Sequence, residues 1–195
     1  IGRVVAPMAA FAAGMLSVAA AGAAMKRAIG GAAQFEDFEA SFVTLLGSTQ
    51  AAQDRMAELE QFGKTTPFDL PGVVKASKVL QSLTQGTLAT GDGLTLVGDI
   101  AASADQPIEE LAVHVGRLFD GLQTGRAVGE SLARLQELGL ISGKARGEIE
   151  KLQKEGADGE RVWSVAEAAL GRFSGEMDRR SRTWNGMMSN FKDGV

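Results

Sequence analysis

His114, the only histidine of the chain, lies between Val113 and Val115, with Glu110 one helical turn before it. An imidazole beside a carboxylate can relay protons or hold a metal, but both tasks need converging partners or an orienting group. The sequence has no second histidine and no cysteine. Disulfides and thiolate metal sites are therefore excluded, and a core or surface histidine is the favoured reading. Glu109 and Glu110 offer a carboxylate pair, yet adjacent helical residues face different directions. Their position just behind Asp105 and Pro107 suits a first-turn role against the positive end of a helix dipole. Thr90-Gly91-Asp92-Gly93 resembles a phosphate or calcium loop in its glycines only. It lacks the lysine of a P-loop and the regular acids of an EF-hand, and it reads as a plain loop. The serines include no GxSxG arrangement. Arg172, Arg179, Arg180 and Arg182 cluster near the C-terminus with Glu176 and Asp178 between them. A solvated helix face is favoured there over a surface for DNA or an acidic protein wall. No catalytic, cofactor-binding or metal-ligating residue is assigned, and no cofactor is expected.

The elements that would position any such group follow from composition and periodicity. The chain has 195 residues, 45% hydrophobic and 23% charged, enough apolar content to build a packed core rather than a disordered tail. Net charge is −4, with acids and bases mixed along both halves. That distribution is not a surface built for a nucleic-acid backbone, and no sequence-specific nucleic-acid partner is expected. The absence of cysteine fits a reducing cytosol. The first residue is Ile1, and the expectation is a piece of a longer polypeptide.

Residues 4–25 carry no charge, with Arg3 before them and Lys26 and Arg27 after. In a helix they would span roughly 33 Å, about a bilayer core. The run is mostly alanine, so its transfer energy into lipid is weak. Ala10, Gly14, Val18 and Gly22 recur at fourfold spacing, which lets helix backbones approach closely. Helix–helix association is favoured over conditional membrane insertion, and a signal peptide comes third because the run is long and basic residues follow it. Ala10, Gly14 and Gly22 are the interface residues assigned to this segment.

Gly30 and Gly31 break the first helix. A second is expected over 34–46, with Phe35, Phe38, Phe42, Leu45 and Leu46 on one face and Gly47 as its stop. Ser48 or Thr49 caps a third, over 50–63, which turns Ala52, Met56, Leu59 and Phe62 inward. Pro67 and Pro71 interrupt the helical pattern, and Asp69 is placed to cap a short helix over 73–83. Residues 85–93 read as loop and 94–104 as helix. Ile108, Leu111, Val115, Leu118, Phe119 and Leu122 form a clean stripe, followed by Val128, Leu132, Leu135 and Leu138 over 127–138. Ser142 caps a charged helix through Ile149 and Leu152, and 156–159 is a hinge. No segment alternates with a two-residue period, although residues 73–80 and 94–100 are ambiguous. The fold class expected is all-α. It is a multi-helix bundle of short helices with an apolar Ala/Gly-rich N-terminal helix over 1–31, a helical core module over 32–157, and a long amphipathic C-terminal helix over 158–195.

That last helix rests on Val162, Ala166, Ala169, Phe173, Met177, Trp184, Met187 and Phe191, stepping by three or four residues with a gap near Arg180. Phe173, Met177, Trp184, Met187 and Phe191 are the residues assigned to an oligomer or partner interface.

Three blocks in order carry a resemblance. The first is FEDFEASFVTLLGSTQAAQDRMAELEQFGKTTPFDLPGVVKAS over 35–77, and the second is LVGDIAASADQPIEELAVHVGRLFDGLQTGRAVGESLARLQELGL over 96–140. The third is FSGEMDRRSRTWNGMMSNFKD over 173–193. Together they resemble the tape-measure proteins of long-tailed phages, across about residues 30–195. The Ala/Gly-rich helix ahead of the first block also resembles that family. The resemblance implies a structural virion protein housed in the tail-tube lumen or at the tail tip. Such a protein scaffolds tube assembly, sets tail length, and leaves ahead of the genome, in some members entering the host envelope. It implies a homo-oligomer of three or six copies, and as partners the tail tube protein, tail-tip or baseplate hub proteins, tail assembly chaperones and the host inner membrane. It supplies no catalytic residue. Two other readings stand beside it: a membrane-active helical pore or effector built on 4–25, and an enzyme such as a murein hydrolase, for which these residues hold no matching motif.

Overall fold

The computed structural model describes residues 33–183. Among them the secondary structure is entirely helical, and the ambiguous stretches 73–80 and 94–100 are helix. The elements are α1 (33–46), α2 (Thr49–Thr65), α3 (Leu70–Thr84), α4 (Gly91–Ala104), α5 (Ile108–Thr124), α6 (Gly129–Glu137), α7 (Gly143–Lys154), α8 (Gly159–Gly171) and α9, described from 176 to 183.

Local chemistry sets most boundaries. The Ser48 hydroxyl accepts the Ala51 N–H at 3.3 Å and the Ser142 hydroxyl accepts that of Ala145 at 3.1 Å. Asp69 accepts the Gly72 N–H at 2.9 Å, with Pro71 in the first turn of α3. Each bond satisfies one of the amide groups that a helix start leaves without an intrahelical partner. Helix α4 begins earlier than expected. Residues 91–93 form its first turn rather than loop, and the Gly91 N–H donates to Glu58 on α2 at 3.0 Å.

Helix α5 is the hub. Its strongest packing is against α3, and it also touches α4, α6 and α8. Ile108, Leu111, Val115 and Leu118 are fully or almost fully buried, as their spacing requires. At Gly116 a methyl group would press into Leu83 of α3, so the close α3–α5 approach depends on its missing side chain. Trp163 of α8 meets Phe119 of α5 edge to face, with ring centroids 5.1 Å apart.

Two further expectations need correction. The terminal stripe does not lie on one long helix: α8 stops at Gly171, residues 172–175 turn, and α9 starts at 176. Gly175 has φ +85°, a left-handed conformation that costs a residue without Cβ little. The second correction is Leu45, placed inward by its spacing but 38% exposed. Phe42 takes the buried line of α1, and Leu45 lies off it by about 60°, a sixth of a helical turn.

Candidate functional site

The polar groups inside the bundle join helices to one another. The Ser77 hydroxyl donates to the Ala89 carbonyl at 2.8 Å, and Arg55 of α2 donates to Ser77 and to Gln81 at 3.2 Å each. The Arg55 guanidinium also sits 5.7 Å from the centre of the Phe42 ring, so one side chain ties α1, α2 and α3. Thr84 donates to the Leu80 carbonyl at 2.6 Å and accepts the Leu88 N–H at 3.1 Å, which pins the turn into α4.

Asp99 is the most consequential of these groups. It is buried on α4, with one carboxylate oxygen accepting the Gly175 N–H at 2.9 Å and the other accepting the Met177 N–H at 3.0 Å. It therefore caps α9 from another helix and puts a negative charge at the positive end of that helix. Met177 packs over Gly98, where an added methyl would overlap its sulfur. Arg180 completes the seam by pairing with Asp105, the residue that ends α4 at φ +56°.

The candidates from the sequence fall as follows. Met177 is 6% exposed and packs into this intramolecular seam. Phe173 is partly buried against the core, with Arg172 stacked 4.6 Å from its ring centre. Ala10, Gly14, Gly22, Trp184, Met187 and Phe191 lie outside the described residues. The arginine cluster is tied down by its own chain. Arg172 donates to the Gly139 carbonyl at 2.6 Å, Arg179 pairs with Glu176, Arg180 with Asp105, and Arg182 with Asp178.

His114 is half-buried, and its Nδ1 has no partner among the described residues. Burial holds its pKa below the usual imidazole value, reinforced by Arg134 and Arg117 against the opposing pull of Glu110 and Glu130. Glu110 itself reaches Arg134 of α6 at 3.4 Å, so the first-turn carboxylate also links α5 to α6. Among the described residues no group of three or more acidic or histidine side chains could hold a metal ion, and no helix is long and apolar enough to cross a membrane.

Two of the hollows on the described surface are roomy enough to weigh as sites. One, of about 520 Å³, is lined by Phe119, Trp163, Asp120, Asp158 and Glu160. Two of its acids are engaged within the chain: Asp120 pairs with Arg126 at 3.1 Å, and Asp158 accepts the Glu160 N–H at 2.8 Å. The other is an open groove of about 690 Å³ between α1, α3 and α5. Leu45, Val79, Leu83 and Val113 give it an apolar floor, and Lys78 and Arg117 stand on its rim. The hydroxyls along its walls are turned to their own helices. Ser41 donates to the Asp37 carbonyl at 2.8 Å, Thr44 to that of Ala40 at 3.2 Å, and Ser82 to that of Lys78 at 3.0 Å. Sequence reasoning missed this groove because its lining comes from three helices. Its only local signal was Leu45, the fourth residue of the expected apolar stripe, on a helix that buries a narrower face.

Comparison with protein-family models, curated proteins and solved structures finds no match for this chain. The groove and the α4–α9 seam thus stand on their own geometry, the first an open hollow of the surface and the second an internal joint.

Proposed function

We propose that the chain is the folded helical module of a phage tail tape-measure protein, a structural component of the virion. The single observation that carries this reading is the ordered resemblance of three sequence blocks over 35–77, 96–140 and 173–193. Two features of the bundle agree with a structural role. The buried Ser77, Thr84 and Asp99 and the half-buried Arg55 tie helices and turns of the bundle to one another. Its open surface is a groove with an apolar floor and a basic rim, the character of a protein-contact surface.

A ruler must be extended, whereas this module folds back on itself in short helices. The module therefore acts as a docking body that packs against copies of itself, the tube protein, tail-tip proteins and assembly chaperones. The length measurement belongs to helical sequence elsewhere in the polypeptide. The test is mass spectrometry of purified tails together with electron microscopy of tail length after in-frame deletions in that polypeptide. The module's peptides should be present in the tails, and deletion of rod residues should shorten them by about 1.5 Å per residue. Tails that lack these peptides, or keep their length, would overturn the proposal.

A second reading, a membrane-active helical protein, is favoured by the uncharged run over 4–25. Liposome flotation of the chain with and without Leu16→Lys separates the two. Binding lost in the variant supports membrane activity, and no binding by either form counts against it.

A further inference from the structure

The hollow of about 520 Å³ where α3, α5 and α8 meet combines aromatic walls with negative charge. Its lining holds three acids, Asp120, Asp158 and Glu160, and no lysine, arginine or histidine. Asp120 is taken by the exposed Arg126, and Asp158 is the cap of α8. Glu160 is exposed and in no ion pair among the described residues. The last residues of α3 and α5, Thr84 and Thr124, also line the hollow, so two helix dipoles bring their negative ends to it. The positive end of α8 is there as well, and Asp158 answers it. The walls are Phe119 and Trp163, whose rings meet at 78° and form a corner rather than a stack. Trp163 is 7% exposed and lines this hollow. Its indole N–H donates to no acceptor among the described residues, yet it is not sealed from solvent.

We propose that this hollow binds the guanidinium of an arginine side chain presented by a partner peptide. A cation beside an aromatic ring is attracted by the ring quadrupole, and a guanidinium, flat and weakly hydrated, stacks there more readily than an ammonium. A carboxylate meets the guanidinium through a planar fork of donors, and Glu160 is the carboxylate left free to do so. The indole N–H of Trp163 cannot serve the cation, since both are donors. It serves the amide carbonyl that a peptide-borne arginine carries beside its side chain, and this second requirement selects a peptide over a free organic cation. The volume lies within the range of small-ligand sites, enough for one side chain and its adjoining peptide group. An anion would face three acids, and a purely apolar ligand would leave the indole N–H covered and unpaired. The site does not depend on the proposed tail function.

The test uses the full-length chain carrying Trp184→Phe, which leaves Trp163 as its only tryptophan. The indole N–H resonance of Trp163 is followed by NMR as N-acetyl-arginine methylamide is added, and it should shift and saturate in the millimolar range. N-acetyl-citrulline methylamide has the same shape without the charge. It should bind at least about tenfold more weakly, since it loses the attraction of both ring and carboxylate. Free arginine should also bind more weakly, because its own carboxylate stands where the neutral carbonyl is needed and faces the acids. Glu160→Gln should weaken the blocked arginine about threefold. Glu148→Gln, which removes the same charge from the exposed surface of α7, should leave it unchanged. Circular dichroism confirms that each variant is folded. The proposal is overturned by a citrulline compound that binds as tightly as the arginine one, by equal effects of the two substitutions, or by a Trp163 resonance that does not shift. Tighter binding of free arginine would overturn the peptide as ligand. None of these results bears on whether the chain is found in tails.

Discussion

The carboxylate of Asp99 receives the backbone N–H of Met177, 78 positions later in the chain, at 3.0 Å. The cap of α9 therefore comes from the middle of α4. The same oxygen pair also takes Gly175, so two amide groups that would lack partners at a helix start are satisfied by one buried side chain. Asp99→Ala should destabilise the fold by about 1–3 kcal/mol, the cost of leaving such groups unpaired in a dry site. Asp99→Asn, which keeps one acceptor but loses the charge, should cost less. Urea denaturation followed by Trp fluorescence measures both, and an unchanged midpoint for Asp99→Ala would remove the cap from the account.

Gly98→Ala should destabilise even though alanine is the better helix former by about 1 kcal/mol. The added methyl meets the sulfur of Met177 and approaches Phe62. Trimming the obstruction should help, so Met177→Ala combined with Gly98→Ala should cost less than the two single losses added together. A double-mutant cycle in denaturant gives the coupling, and strict additivity would mean that the two residues do not press on one another.

Stability should fall on the acid side through His114. Its folded-state pKa is depressed, so the unfolded chain binds the proton more readily. Below the ordinary value near 6.5 the unfolded state takes up protons that the native state resists, and the native state loses ground as pH drops further. Above that pH the effect is absent, since both states are neutral at this site. His114→Gln should flatten the dependence of stability on pH between about 7 and 5. Parallel slopes for the variant and the parent chain would assign the acid sensitivity to other groups.

Arg55→Lys should not replace Arg55. The guanidinium reaches Ser77 and Gln81 together and lies against Phe42. An ammonium lacks the planar fork needed for this combination. A loss of about 1–2 kcal/mol is expected for Arg55→Lys, on the scale of charged hydrogen bonds. It should be accompanied by faster amide exchange in α1, which Arg55 helps to hold. Unchanged exchange in α1 would show that Phe42 alone secures that helix.

Much of the bundle is legible in the sequence because its signals are local. Asp69, Ser48 and Ser142 announce helix starts by type and position, and the Ile108–Leu122 stripe declares the buried face of α5 without reference to anything else. The misreadings have a shared cause. Gly91 to Gly93 read as loop because glycines are poor helix formers, yet a carboxylate from α2 receives the Gly91 N–H at the start of α4. Phe173 and Met177 read as one continuous stripe with Val162 because they keep the spacing, yet Gly175 turns the chain and Asp99 takes up the new helix start. The groove was invisible because Val79, Val113 and Leu45 meet only once three helices have docked. Contacts between residues far apart in the chain are set by packing, and a one-dimensional pattern does not carry them.

The turn at 172–175 decides how the molecule bears tension. Among the described residues α9 is fastened to α4 through Asp99, Gly98 and Asp105. A pull applied to α9 should load this fastening first, and stretching single molecules should detach α9 at a lower force than opens the helices around α5.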